Sequence, residues 1–231
     1  MTEQRRPLAA APAPVSTDPF EEVRALFRAR DRALGKVLFA EADWARTRLA
    51  CDILDGVADV ADIGIGQGQL VNALARQPGI RAVHAYDFRK HSKLIEPETG
   101  SYVFRAWDIT EPPTFEPPAV DVVVAMEVLE HIAVDALPAA LARLRGLARH
   151  GALLITVPYR ETPPLFHHDK PSGHKQSFDD AKIERLFGPN CRYANFRDKW
   201  YVVFCHDRLD GAAPCAVDEI AGIARDAMGL P

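Results

Sequence analysis

The stretch Val60-Ala61-Asp62-Ile63-Gly64-Ile65-Gly66-Gln67-Gly68-Gln69 decides how the rest of the chain is read. Apolar residues run into an acid, three glycines follow at every second position, and Leu70-Val71-Asn72-Ala73-Leu74-Ala75 then carries a helical pattern. A strand, a tight glycine turn and a helix N-terminus open a nucleotide-binding βα unit. Glycine lets the backbone turn with positive φ and lets a ligand approach bare peptide groups. The helix that follows offers N–H groups and the positive end of its dipole to an anion. The dinucleotide fingerprint G-x-G-x-x-G needs its third glycine one place later, where this chain has Gln69. That spacing disfavours a nicotinamide dehydrogenase.

Outward from the loop, apolar runs and helical patterns alternate. Strands are expected at 57–63, 80–86, 102–106, 120–126, 152–157, 192–196 and 200–205, the last two as a closing hairpin. Helices are expected at 69–76 and 137–149, from Ser177 to about Gly188, and at 217–228. Alternation of this kind predicts an α/β fold with a doubly wound, mainly parallel sheet of seven strands and a C-terminal antiparallel hairpin. Ligands in such sheets bind beyond the carboxyl ends of the strands. Before the sheet, residues 1–17 are rich in Ala and Pro and read as a disordered tail, and 18–56 read as an N-terminal helical cap. The main domain covers 57–207, and 208–231 hold the C-terminal helix.

Composition narrows the class. The chain has 231 residues, 48% of them hydrophobic, which suits one packed α/β domain. The net charge of −4 gives no electrostatic footprint for nucleic acid. No apolar run is long enough for a bilayer and no signal core is visible, so neither a membrane nor secretion is expected. Cys51, Cys191, Cys205 and Cys215 form no C-x-x-C pair and read as reduced thiols of a cytoplasmic protein.

Polar motifs stand at the expected strand ends. Asp87 ends the second strand, where a carboxylate can accept hydrogen bonds from two ribose hydroxyls, and Phe88 beside it can lie against a purine. Trp107-Asp108 ends the third strand. Asp108 can accept the amino group of adenine while Trp107 packs on the ring; alternatively Trp107 is core and Asp108 caps a turn. Met126-Glu127-Val128-Leu129-Glu130-His131-Ile132 follows the fourth strand. The D-x-G-x-G-x-G loop, the acids at 87 and 108 and the E-V-L-E-H-I run together resemble the class I S-adenosylmethionine (SAM)-dependent methyltransferases, nearest to their small-molecule branch, over about residues 55–207.

The resemblance implies a Rossmann-like methyltransferase fold and SAM as cofactor. It implies that Asp62, Gly64, Gly66 and Gly68 hold the methionine part of SAM, Asp87 the ribose and Asp108 the adenine, with Met126 and Glu127 lining the cofactor pocket. Ile65 and Gln67 depart from the small or polar residues usual at those places. The loop after the fifth strand carries His167, His168, Asp169 and His174. Imidazole and carboxylate suit several divalent ions, but the spacing matches no closed zinc pattern, and no metal is expected. His174 with Phe178 matches a pattern in the resembling enzymes.

A sulfonium carries an already activated methyl group, so the protein has mainly to place a nucleophile and keep water out. A base is needed only where the nucleophile must lose a proton; His174 and His131 are the candidates, ahead of Glu127, Glu130 and Tyr159. The expected activity is O-methylation of a sugar or phenolic metabolite by a monomer or homodimer. The alternatives are N-methylation of a small amine or sugar amine, RNA-end or protein methylation, and a non-catalytic SAM-binding scaffold.

Overall fold

The computed structural model describes residues 18–34, 40–88, 102–160, 173–196 and 198–231. The expectations for the tail at 1–17 and for His167, His168 and Asp169 lie outside these residues. In chain order the elements are α1 (Pro19–Leu34), α2 (Glu41–Ile53), β1 (Asp59–Ile63), α3 (Gln69–Leu74), β2 (Ala82–Asp87), β3 (Tyr102–Ala106) and β4 (Val122–Met126). A 3-10 turn (Leu129–His131) precedes α4 (Leu137–Leu147), β5 (Leu153–Pro158), α5 (Asp180–Phe187), β6 (Cys191–Phe196), β7 (Trp200–Cys205), β8 (Ala212–Pro214) and α6 (Val217–Met228).

The strands make one sheet in the order β3-β2-β1-β4-β5-β7-β6-β8. The first five are parallel, and β7 runs antiparallel to both β5 and β6. The strand order reverses between β1 and β4, which opens a crevice at their carboxyl ends. β4 has four consecutive buried residues, as a central parallel strand covered on both faces requires. The sheet has eight strands rather than seven. The extra one, β8, is three residues of Ala and Pro at the edge, too short to show an alternating pattern, and it pairs parallel to β6 through Cys191 and Ala212.

Helix starts follow local chemistry. Asp18 accepts a hydrogen bond from the Phe20 N–H at 3.0 Å, with Pro19 first in the helix, where its missing N–H costs nothing. α5 begins three residues later than Ser177 because Asp179 is the cap, accepting from the Lys182 N–H at 2.8 Å. One face of the sheet is covered by α1, α2, α3 and α6 through Phe20, Trp44, Leu70, Val71 and Ile220. The other is covered by α4 and α5 through Leu141, Leu144, Ile183 and Phe187. The helices within 18–56 therefore share a core with the sheet. At the amino ends of the strands, Asp59 is gripped by Arg81 (Nε to Oδ1, 2.9 Å) and Arg149 (3.2 Å), and these hold its carboxyl below the ordinary range. Among the described residues no helix is long and apolar enough to cross a membrane.

Candidate functional site

At the opposite end of the sheet, the loop after β1 is tied to β2. The N–H groups of Gly64 and Ile65 both donate to the Tyr86 carbonyl, at 2.7 and 3.3 Å. Gly64 and Gly66 have φ of 73° and 53°, a region that other residues enter only at a cost. Their surroundings differ. A Cβ on Gly64 would lie 2.4 Å from Val128 Cγ2, so the loop is packed hard against the chain after β4. A Cβ on Gly66 would meet nothing closer than 4.0 Å and would occupy open space instead. Gly68 is the left-handed cap of α3, and its carbonyl accepts from both the backbone and the side chain of Asn72. Asp62 is buried beneath this loop. Burial, with the neighbouring charge of Asp87, pushes its pKa up to about 7.

A cavity of about 410 Å³ opens above the loop, within the usual range for small-molecule sites. Gly64, Gly66, Asp87, Phe88, Trp107, Asp108, Glu127 and His131 line it. Of the other residues singled out in the sequence, Asp62 and Gly68 support the loop from outside this lining, and Met126 packs into the core from β4. Ile63, Ile109, Thr110, Val128 and Ile132 complete the walls. Ile63, Val128 and Ile132 lie within the quoted motifs without a role assigned to them, and Ile109 and Thr110 follow Asp108 with no distinguishing pattern of their own. Trp107 is both core and wall: its indole N–H donates to the Glu111 carbonyl at 2.9 Å, and its ring meets Tyr86 edge-on at 5.4 Å. Asp108 caps a turn, accepting from the Thr110 N–H and hydroxyl. Phe88 is 54% exposed and stands at the rim. The bare backbone at Gly66, the open space beside it and the acid at Asp87 fit the sugar and amino-acid ends of a nucleoside cofactor.

The far end of the cavity is built from the chain after β4. Glu127 sits at φ 54°, a strained conformation for a residue with a side chain, and such residues gather at functional sites. Its carboxylate accepts from the Thr156 hydroxyl at 3.0 Å and faces Arg46 of α2 at 3.4 Å; burial raises its pKa against the pull of Arg46. The next turn carries Glu130, which is only 1% exposed. Its Oε1 lies 3.6 Å from His131 Nε2 and 4.0 Å from His174 Nε2, and the two imidazole rings stand 4.8 Å apart. The Lys175 N–H donates to the Glu130 carbonyl at 2.6 Å, and Gln176 Nε2 donates to the carbonyls of Leu129 and Ile132 at 2.9 and 2.8 Å. These bonds fasten the segment bearing His174 onto the turn bearing Glu130 and His131. One donor atom from each of the three residues lies within 4.8 Å of the others, an arrangement that can hold a cation.

The family described as "Methyltransferase domain" matches residues 61–154. No curated protein matches the chain. Among solved structures, an O-methyltransferase family protein from Burkholderia thailandensis is similar with a TM-score of 0.57 and 16% identity, over 81% of this chain and 71% of that one. The 1,6-didemethyltoxoflavin-N1-methyltransferase of the same organism, solved with S-adenosylhomocysteine, is similar with a TM-score of 0.57 and 20% identity, over 88% and 94%. The small RNA methyltransferase HEN1 is similar with a TM-score of 0.55 and 16% identity, over 77% of this chain and 27% of that one. At these identities the structural likeness is one of fold. Residues 61–154 match a methyltransferase domain, and together with the shared fold and the glycine loop at the sheet's switch point this supports an enzyme acting with SAM.

Proposed function

We propose that the site methylates a hydroxyl group of a small metabolite such as a sugar or a phenol. In this reading the loop from Asp62 to Gly68 meets the methionine part of SAM, Asp87 the ribose, and Trp107 and Asp108 the adenine. SAM supplies a methyl group activated on a sulfonium. A neutral amine can attack such a methyl directly, whereas an alcohol or phenol gains from losing its proton.

One observation carries the choice of a hydroxyl: two imidazoles and a buried carboxylate meet at the turn after β4, whose His131 lines the cavity. That is more proton-handling machinery than an amine acceptor requires. A net charge of −4 favours a small acceptor over RNA. The test is transfer of label from SAM to matched panels of polyols, phenols and small amines, with a short RNA alongside, products being identified by mass spectrometry. Labelled methyl ethers support the reading. Label found only on nitrogen or only on RNA overturns it, as does SAM binding with no transfer to anything in a metabolite extract.

A further inference from the structure

We propose that Cys191 and Cys205 form a reversible disulfide when the protein meets a hydroperoxide, with Cys191 as the attacking thiol. The two stand directly opposite each other on the antiparallel strands β6 and β7. In the neighbouring pair the His206 N–H donates to the Asn190 carbonyl at 3.1 Å, so the cysteines occupy the adjacent rung, which carries no hydrogen bonds between these two strands. Such rungs bring opposing Cα atoms to about 4.5 Å, inside the range of roughly 4.4–6.8 Å that a disulfide bridges. Both side chains are buried in the core beneath α4 and α5. Cys51 and Cys215 pack against the core on the other face of the sheet, so neither competes for the bridge.

The surroundings make the two thiols unequal. Cys205 hydrogen-bonds Cys191, and the Cys191 thiol donates to the Gly188 carbonyl at 3.5 Å. The bond from Cys205 favours the Cys191 thiolate, and the charges of Arg192 and Arg145 act the same way against burial. The same bond, and burial, push the Cys205 thiol up. Thiolate is the reacting form of cysteine, so Cys191 attacks first. Its sulfur bonds one oxygen of the hydroperoxide, the O–O bond breaks, and the leaving oxygen takes the proton that Cys191 gave up. Cys191 is then a sulfenic acid, which condenses with a neighbouring thiol. Cys205 loses its proton, its sulfur bonds that of Cys191, and the S–O bond breaks with release of water. With hydrogen peroxide, two thiols and one oxidant become one disulfide and two waters. The way in is the turn at 188–190 between α5 and β6. α5 and the three-residue β8 that flank β6 are short, and short flanking elements open locally at less cost than the whole fold. Cys205 pairs with Leu153, the first residue of β5, so the bridge sits at the amino ends of the parallel strands, away from the cavity. It staples the closing hairpin and leaves the cavity untouched.

The test treats the full chain with hydrogen peroxide well below its melting temperature, with near-UV circular dichroism as the check on folding, and then exposes half of the sample to dithiothreitol. Thiols titrated in denaturant should fall from four per chain to two. Trypsin cuts after Arg192 and Lys199 and so separates the cysteines, and mass spectrometry should find their peptides joined. The melting temperature should rise by ~6–12 °C, what closing a loop of about 15 residues gives in a chain of this size. Dithiothreitol should reverse all three changes. In Cys205→Ala, dimedone added with the peroxide should label Cys191. A variant that does not fold leaves the decision to the unsubstituted protein, where the joined peptides alone suffice. Four thiols retained, oxidation confined to Cys51 or Cys215, a link between two chains, or joined peptides only in protein that has lost its near-UV signal would each overturn the proposal. Dimedone on Cys205 of a folded Cys191→Ala, with none on Cys191 of a folded Cys205→Ala, overturns the order of attack.

Discussion

The Gly66 N–H donates to the Asp87 carboxylate at 3.3 Å, so the glycine loop and the acid at the end of β2 hold each other in place. In the proposed reading Asp87 takes the ribose, and the same carboxylate stiffens the glycine loop beside it. Asp87→Ala should weaken SAM and S-adenosylhomocysteine by roughly ten- to a hundred-fold, from the loss of about 1.5–3 kcal/mol of hydrogen bonding to a charged acceptor. Calorimetry with S-adenosylhomocysteine measures it, and an unchanged dissociation constant in a folded variant would show that another acid takes the ribose.

Gly64 and Gly66 should respond differently to the same substitution. Gly64→Ala adds a clash with Val128 to the cost of positive φ, and about 1–3 kcal/mol for overpacking plus ~1–2 kcal/mol for the left-handed backbone should appear in urea unfolding. Gly66→Ala carries only the second cost, yet its methyl enters the cavity and should lower cofactor affinity more than stability. Equal losses of stability at the two positions would contradict the placement of Gly64 against Val128.

Two acids should bend the pH dependence of stability in opposite directions. Asp62 has a pKa raised from an ordinary 3.8 to about 7, so the folded state favours its protonated form. Its contribution is complete below the ordinary value and is lost as pH rises through about 7. Asp59 is held down, first by Arg81 and then by Arg149, so its contribution is present above the ordinary value and is lost as pH falls below it. Melting temperatures of the cofactor-free protein between pH 5 and 8 should therefore fall less steeply in Asp62→Asn than in wild type. Parallel curves would mean that Asp62 ionises normally in the fold.

His174→Ala should leave SAM affinity nearly intact, since His174 stands behind His131 and is not among the residues that line the cavity with Asp87, and should lower kcat by ~10²-fold or more. Steady-state kinetics beside calorimetry separates the two effects. Full activity in this variant would move the acceptor chemistry to His131 and Glu127.

Much of the cavity was legible because its polar residues recur at strand ends in chain order. Asp62, Gly64, Gly66, Asp87 and Trp107-Asp108 could each be found from a local pattern. What could not be read was depth: nothing local separates Asp87, which lines the cavity, from Asp62, which lies buried under the loop. The acceptor end was harder. Glu130 is recognisable as a partner of His174 only once Lys175 and Gln176 bring the two stretches together, and sequence spacing had drawn attention to the adjacent His167-His168-Asp169 instead. β8 was missed because three residues of Ala and Pro carry no strand signature.

The bonds from Gln176 to Leu129 and Ile132 join residues 47 and 44 apart in the chain, while the bond from Gly66 to Asp87 spans 21. Each doubling of a closed loop adds only about 0.6 kcal/mol of entropy cost, yet the longer closure also waits on β5 being in place. The molecule is therefore modular in assembly: the loop after β1 can order from neighbouring segments, and the turn after β4 is completed afterwards by a clasp of three hydrogen bonds. Under the function proposed above, exchanging the segment fastened by this clasp should change which molecule is methylated and leave the Gly66–Asp87 bond as it was.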